Sequence, residues 1–206
     1  LNVGLDGLKE IVSMCTGLDS DNIKSLRIAK KSVDARNKSN VHFVYSLDME
    51  VWGDEDYIAS ILAWKQVELI KEKPQLAIAR RPESKLRPVV IGSGPAGMFA
   101  ALALAEAGQR PIVIERGKPV NERQEDVRSF WAKGMLNPNS NVQFGEGGAG
   151  TFSDGKLMTG IKKDKFTAKV LYELAAAGAP EEILYLAKPH IGTDKLVTVV
   201  QNIRRK

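Results

Sequence analysis

The first eighty residues carry the hydrophobic patterns of helices and strands in turn. Apolar residues recur at helical spacing ahead of Gly17, which is placed to end that helix. A strand is predicted at residues 23–32, and the polar cluster at residues 37–40 predicts a turn. The apolar residues of the helix are Leu5, Leu8, Ile11, Val12 and Cys15.

After this turn the apolar side chains alternate with a period of two, which predicts a strand with one buried face. A second helix is predicted over residues 55–69, so the order helix, strand, strand, helix indicates a small antiparallel sheet covered on one face. The strand places Phe43, Tyr45, Leu47, Met49 and Val51 on one side and His42, Ser46, Asp48 and Glu50 on the other; the helix carries Ile58, Ile61, Leu62 and Trp64.

Prolines and charged residues then mark residues 71–86 as a linker. We therefore divide the chain into a small α/β domain at residues 1–80 and a second domain at residues 81–206.

The second domain opens with the apolar run Val89–Ile91, which leads into Gly92-x-Gly94-x-x-Gly97 and an alanine-rich helix that Gly108 ends. A second apolar run at residues 112–114 ends on Glu115, and a unit with this order and spacing is typical of dinucleotide binding.

Each residue of this fingerprint has a mechanical role. Gly92 lets the chain turn sharply, Gly94 lets a pyrophosphate approach the backbone, and Gly97 lets the helix pack closely. Pro95 suits the first helical turn, whose free N–H groups favour phosphate. Glu115 is placed to accept hydrogen bonds from ribose, and its charge disfavours NADP. The alternative is a tight turn with no ligand.

Three further helices are predicted in the second domain. The first covers residues 121–133 and ends at Gly134, and the second covers residues 166–177 with Gly178 as its cap. The third covers residues 194–205 with Thr193 as its N-cap. The predicted fold class is therefore α/β, with a Rossmann-like FAD- or NAD(P)-binding βαβ unit preceded by a small α/β domain.

A second glycine-rich segment at residues 143–157 imitates a phosphate-binding P-loop. Leu157 stands where that motif needs Ser or Thr, and no apolar strand precedes it, so we reject the NTPase interpretation. The segment is instead interpreted as a continuation of the dinucleotide site, with Thr151, Ser153 and Lys156 as added donors. Lys156 near the flavin N1–C2=O edge would stabilise the reduced form. A flexible surface loop is the alternative.

Composition adds few constraints. The 206 residues are 43% hydrophobic and 27% charged, no run approaches a membrane span, and the missing initiator Met suggests absent N-terminal sequence. A lone cysteine, Cys15, is expected to be buried, and it favours a reducing cytoplasm. The net charge is +5, but the densest cations alternate with apolar residues as a solvated strand face would, so nucleic-acid binding is not expected. These cations are Lys24, Arg27, Lys30, Lys31, Arg36 and Lys38.

The two histidines do not form a metal site, because no spacing pairs them with carboxylates or thiols. His190 could act as an acid or base near a substrate, or it could cap the helix that starts near Thr193. We favour the structural role, and His42 lies in mid-strand without a candidate partner.

The fingerprint with Glu115-Arg116, followed by residues 145–156, resembles a family of uncharacterised bacterial FAD-dependent (NAD(FAD)-utilising) dehydrogenases in the glutathione-reductase-like flavoprotein superfamily. Residues 25–28, 32–36, 42–46 and 188–196 resemble it as well. The resemblance implies an FAD-dependent oxidoreductase with NAD(P)H as a candidate electron donor. Its predicted cofactor contacts are Gly92, Ser93, Gly94, Pro95, Ala96, Gly97, Glu115, Arg116, Gly147, Gly148, Thr151, Ser153 and Lys156.

Members of that family are more than twice as long, so the resemblance implies an N-terminal portion that lacks the substrate domain and the closing flavin motif. No catalytic residue is assigned, and no membrane partner is expected. Two other functions stay open at this point: an enzyme that binds NAD at the same fingerprint, and a non-catalytic nucleotide-binding module or truncated remnant.

Overall fold

The computed structural model describes residues 3–64, 66–70, 76–157 and 165–206. The chain divides into two compact units, the first of residues 1–74 with 185–187 and the second of residues 75–184 with 188–206. Helices and strands are both present, which confirms the α/β class. No helix among the described residues is long and apolar enough to cross a membrane.

The first unit is built on two long antiparallel strands. Helix α1 (Leu5–Thr16) ends where Gly17 adopts a left-handed conformation, with φ of 71°. Strand β1 (Ile23–Asp34) pairs with strand β2 (His42–Val51), and helix α2 (Glu55–Leu62) follows. The predicted helix, antiparallel strand pair and helix are therefore confirmed in type and order.

Two predictions for this unit are wrong. Helix α2 ends at Leu62 rather than at residue 69, because the chain changes to tighter turns in which Trp64 N donates to Ile61 O and Val67 N donates to Trp64 O. Cys15 is exposed, not buried, because α1 buries only Leu8 of its apolar stripe.

Several cations of β1 face carboxylates. Lys24 lies 3.4 Å from Glu50 and Arg27 lies 2.7 Å from Asp48, both on β2. Such cross-strand pairs place opposite charges side by side on the exposed surface of the sheet. The positive charge of this strand is therefore partly offset by its neighbour.

The second unit contains the strand–helix–strand segment. Strand β3 (Val89–Ile91) runs parallel to strand β4 (Ile112–Ile114), with Val89 opposite Ile112, and helix α3 (Pro95–Glu106) connects them. Helices α4 (Val120–Lys133), α5 (Lys165–Ala176) and α6 (Thr193–Arg205) follow. The main core lies between α5 and α6, and its fully buried residues include Ile183, Ile191 and Val199.

The structure adds detail to one local prediction for this unit and corrects another. Part of the expected linker is bonded to the end of α3, since Arg81 N donates to Ala107 O and Ser84 N donates to the Gln109 side chain. Residues 71–75 of that linker lie outside the described residues. The N-cap of α6 is Gly192 rather than Thr193, which is the first helical residue.

Candidate functional site

The fingerprint turn is closed by its own glycines. Gly92 has a φ of 90°, in the left-handed region that favours glycine, and its N–H donates to Ile114 O at 2.7 Å. A Cβ at Gly97 would clash with the Gly92 carbonyl oxygen and lie 3.5 Å from Val90 Cγ1. This geometry is compatible with the predicted roles: Gly92 lies in the turn, and Gly97 lies where α3 passes close to that turn.

Gly94 is a glycine that the polypeptide itself does not require. Its φ of −68° suits any residue, and among the described residues the atom nearest to an added Cβ would be Gly148 Cα, at 3.9 Å. Gly94 is also the N-cap of α3, which begins with Pro95 and receives no side-chain capping bond. The missing side chain leaves open space beside free helix N–H groups, which is the combination a phosphate needs.

Glu115 holds the fingerprint turn from the end of β4. Its Oε2 accepts hydrogen bonds from Ser93 N at 2.7 Å and Ser93 Oγ at 3.1 Å, and its Oε1 accepts one from Gly117 N at 2.8 Å. Burial alone would raise the pKa of Glu115, but the donors of Gly117 and Ser93 outweigh it and hold the pKa below its ordinary value. Glu115 is thus an internal support of the turn, a role that the sequence did not reveal.

The second glycine segment lies against the fingerprint. Gly147 N donates to Ser93 O at 2.9 Å, and a Cβ added at Gly148 would lie 3.3 Å from Gly94 Cα and 3.0 Å from Pro95 Cδ. Gly147 and Gly148 both have positive φ, of 87° and 71°. Two glycine motifs about fifty residues apart therefore meet at Gly94, as a continuation of one site requires.

Arg123 holds this second segment from within. It is fully buried on α4, and its guanidinium donates to five backbone carbonyls within 3.3 Å. The guanidinium carbon also lies 4.8 Å from the centre of the Phe152 ring. The five acceptors are the carbonyl oxygens of Asn141, Val142, Gly145, Glu146 and Gly148.

Sequence reasoning missed Arg123, although a signal was present. The buried residues of α4 are Val120, Arg123 and Val127, so this arginine occupies the apolar stripe at helical spacing. An arginine in such a stripe needs acceptors inside the protein, because a buried guanidinium without partners is strongly unfavourable. Glycine-rich loops with exposed carbonyls are a ready source of those acceptors.

Glu146 was missed as well. It is 7% exposed, its Oε2 accepts from Val120 N at 2.6 Å, and Arg204 of α6 donates to both of its oxygens. The carboxylate therefore bonds the first residue of α4 and ties α4 to α6 through the glycine segment.

The other predicted donors lie in different surroundings. Lys156 is exposed and forms a 2.7 Å ion pair with Asp154, while Ser153 is exposed beside the same carboxylate. Thr151 is 2% exposed and packs beneath Gly147. Arg116 lies with its guanidinium carbon 4.5 Å from the centre of the Phe144 ring.

Residues 155–157 pair with the chain at His190. Ile191 N donates to Gly155 O and Leu157 N donates to Pro189 O, and Gly155 has no room for a Cβ because the Ile191 carbonyl lies against it. The Gly155-Lys156 pair thus belongs to a backbone pairing rather than to a P-loop. His190 is exposed and does not cap α6, so its predicted capping role is wrong.

Comparisons with known proteins match the same regions. A family model described as "FAD binding domain" matches residues 87–190, which contain both glycine segments. A model described as "Domain of unknown function (DUF8436)" matches residues 5–50. A protein of Clostridium beijerinckii described as an uncharacterized protein is 45% identical over 212 residues, and the match covers 100% of this chain but 39% of that protein.

Proposed function

Because the chain belongs to the FAD binding domain family, we propose that it is the FAD-binding part of an oxidoreductase of the dehydrogenase type. Membership of this family identifies FAD as the cofactor. Bound FAD supplies the flavin ring, which carries hydride or electrons, while the protein supplies binding and orientation. The matched relative is much longer than this chain. We therefore propose the oxidoreductase reaction for a longer protein of which this chain would be the FAD-binding part.

The observation that carries the proposal is the open position at Gly94. Chain geometry explains why glycine occupies positions 92 and 97, but none of the described residues requires it at position 94. A group outside the polypeptide would explain it, and a pyrophosphate fits the space beside the α3 N-terminus. We therefore place the FAD pyrophosphate there, in a Rossmann-like unit formed by β3, α3 and β4.

The remaining predicted contacts are arranged around this point. A carboxylate offers about four acceptor positions. The donors of Ser93, Gly117 and Arg116 already act on Glu115, so we propose that the ribose shares the carboxylate with them at Oε1. Exposed Ser153 and Lys156 would supply donors toward the flavin ring, while buried Thr151 supports Gly147 from below.

NAD(P)H as the electron donor and a cytoplasmic location complete the proposal. A single cysteine, exposed and free, fits a reducing compartment, where thiols stay reduced. Glu115 at the proposed ribose position disfavours a 2′-phosphate at this site, so NADPH would have to bind elsewhere.

The test is FAD titration of the purified chain, followed by its visible absorption, alongside a Gly94→Val variant. We expect near-stoichiometric flavin in the wild type and none in the variant, because the branched side chain would fill the pyrophosphate position. Gly4→Val is a closely matched control, since Gly4 is also an N-cap with φ of −69°, no side-chain cap and no atom within 4 Å of an added Cβ. Its FAD affinity should equal that of the wild type.

One outcome would contradict the assignment, and a second would remove the support that the Gly94→Val variant gives it. Wild-type affinity in the Gly94→Val variant would move the pyrophosphate away from the fingerprint. Equal loss in the Gly4→Val and Gly94→Val variants would show that valine at a helix N-cap disrupts the chain in general. Circular dichroism of both variants separates these cases from simple unfolding.

A further inference from the structure

Arg123 is a buried cation that has no carboxylate partner in the described part of the chain. Within the described residues, no carboxylate oxygen lies within 4.0 Å of its nitrogen atoms, and its hydrogen bonds go to backbone carbonyls. Burial lowers the pKa of Arg123, and the charge of Glu115 acts in the opposite direction. Arginine nevertheless stays protonated in proteins, so the site keeps a positive charge.

The carbonyls that Arg123 binds determine where the adjacent N–H groups point. In a trans peptide the C=O and N–H groups point in opposite directions. The carbonyl of Glu146 accepts from Arg123 at 2.8 Å, and the N–H of the same peptide, on Gly147, donates to Ser93 O at 2.9 Å. One peptide group therefore connects the buried guanidinium to the fingerprint turn.

A second peptide places Gly148 in the same way. The Gly148 carbonyl oxygen accepts a hydrogen bond from Arg123 Nη1 at 2.9 Å. On its other side, the Cα of Gly148 lies against Gly94 and Pro95. An added Cβ at Gly145 would lie 2.6 Å from Arg123 Cδ, so the segment also follows the arginine stem closely. Only a planar fork with five donors can bind so many carbonyls of one loop.

We propose that Arg123 is a positioning residue for FAD: its guanidinium fixes the Gly145–Gly148 segment against the fingerprint turn, so that the pyrophosphate and flavin ring meet a preformed backbone surface. This inference rests on the proposed function, because it assumes that FAD binds beside Gly94. Arg123 acts through the loop and does not touch the cofactor.

The test compares Arg123→Lys and Arg123→Met by FAD titration and by the visible circular dichroism of the flavin at saturating FAD. We expect both variants to lose about 10- to 100-fold in affinity, the range found when residues that orient the ligands of a metal site are replaced. Lysine keeps the charge but lacks the fork, so it should not rescue binding. The flavin spectrum should change in both variants, which a loss of folding stability alone would not cause.

Arg128→Met is the matched control on the same helix, because Arg128 is exposed and pairs only with Glu125 among the described residues. It should bind FAD as the wild type does. Wild-type affinity or a wild-type flavin spectrum in Arg123→Lys would overturn the positioning role. If the Arg123 variants do not fold, hydrogen exchange in the wild type decides: protected amides at residues 145–148 before FAD is added support the proposal, and unprotected amides overturn it.

Failure of this inference is distinguishable from failure of the proposed function. A wild-type chain that takes up no FAD, or a Gly94→Val variant that binds it normally, overturns the proposed site and the role of Arg123 together. Normal binding in the wild type, loss in Gly94→Val and no change in the Arg123 variants would overturn only the inference.

Discussion

At the scale of single residues, Glu115 shows how one carboxylate can serve both the chain and a ligand. Two donors from Ser93 and one from Gly117 satisfy most of its acceptor capacity without any cofactor. Its first contribution is therefore to stability, since it fastens the turn of the fingerprint to the end of β4. Sequence spacing alone pointed to the ribose, because the partner donors become visible only when the turn is folded.

Glu115→Gln should reveal what the carboxylate contributes to the stability of the chain. The pKa of Glu115 is lowered in the folded chain, so its stabilisation is fully present above the ordinary carboxyl value of 4.5 and is lost as the pH falls through the folded value. We expect the variant to lose about 1–3 kcal/mol of unfolding free energy at pH 7. Urea unfolding from pH 7 to pH 3 should show the gap to the wild type shrinking below pH 4.5.

A glutamate outside the site provides the control for this pH series. Glu125 is exposed on α4, so Glu125→Gln should change the unfolding free energy by no more than about 0.5 kcal/mol at any pH. A gap between Glu115→Gln and the wild type that stayed constant down to pH 3 would contradict the assigned pKa shift.

At the scale of elements, the start of α3 distinguishes a glycine needed for packing from a glycine needed for a ligand. Gly97→Ala places a methyl group against the Gly92 carbonyl, and we expect a loss of about 1–3 kcal/mol from this overpacking. Alanine is the better helix former by about 1 kcal/mol, so the clash has to exceed that gain. Thermal unfolding of the variant measures the balance.

Gly94→Ala is the matched change three residues earlier. Its methyl group meets only ordinary contact distances within the chain, and the cost to the helix cap is about 1 kcal/mol at most. We expect this variant to keep near wild-type stability and to lose FAD affinity. Equal melting temperatures for Gly97→Ala and the wild type would show that α3 can move away from the turn.

The elements also show which parts of the fold the sequence could predict. Glycine punctuation and hydrophobic period located β3, β4 and the glycine-bounded helix α4 to within a residue and predicted a helix before Gly108, because those signals are local. The end of α2 and the bonds of Arg81 depend on contacts that local pattern does not encode. Arg123 could be predicted in part. Its place in the apolar stripe of α4 can be read from the sequence, whereas the carbonyls that it binds cannot.

At the scale of the whole molecule, the parallel strand pair leaves much apolar surface open. Ile91 is 84% exposed, and Val89 and Ile114 are more than half exposed. Parallel strands are normally covered on both faces, so this surface is unusual for such a pair. Contiguous apolar surface of this kind binds hydrophobic dyes and promotes association.

Replacement of Ile91 should change that property without changing the site. Ile91→Thr keeps a β-branched side chain suited to a strand but adds a hydroxyl, so we expect weaker fluorescence of a hydrophobic dye and less light scattering. FAD affinity and the melting temperature should stay at wild-type values, because Ile91 packs little of its side chain.

Val90→Thr is the control on the opposite face, where Val90 packs near Gly97, and it should lower stability while leaving dye fluorescence unchanged. Unchanged dye fluorescence in Ile91→Thr would place the apolar surface elsewhere in the chain.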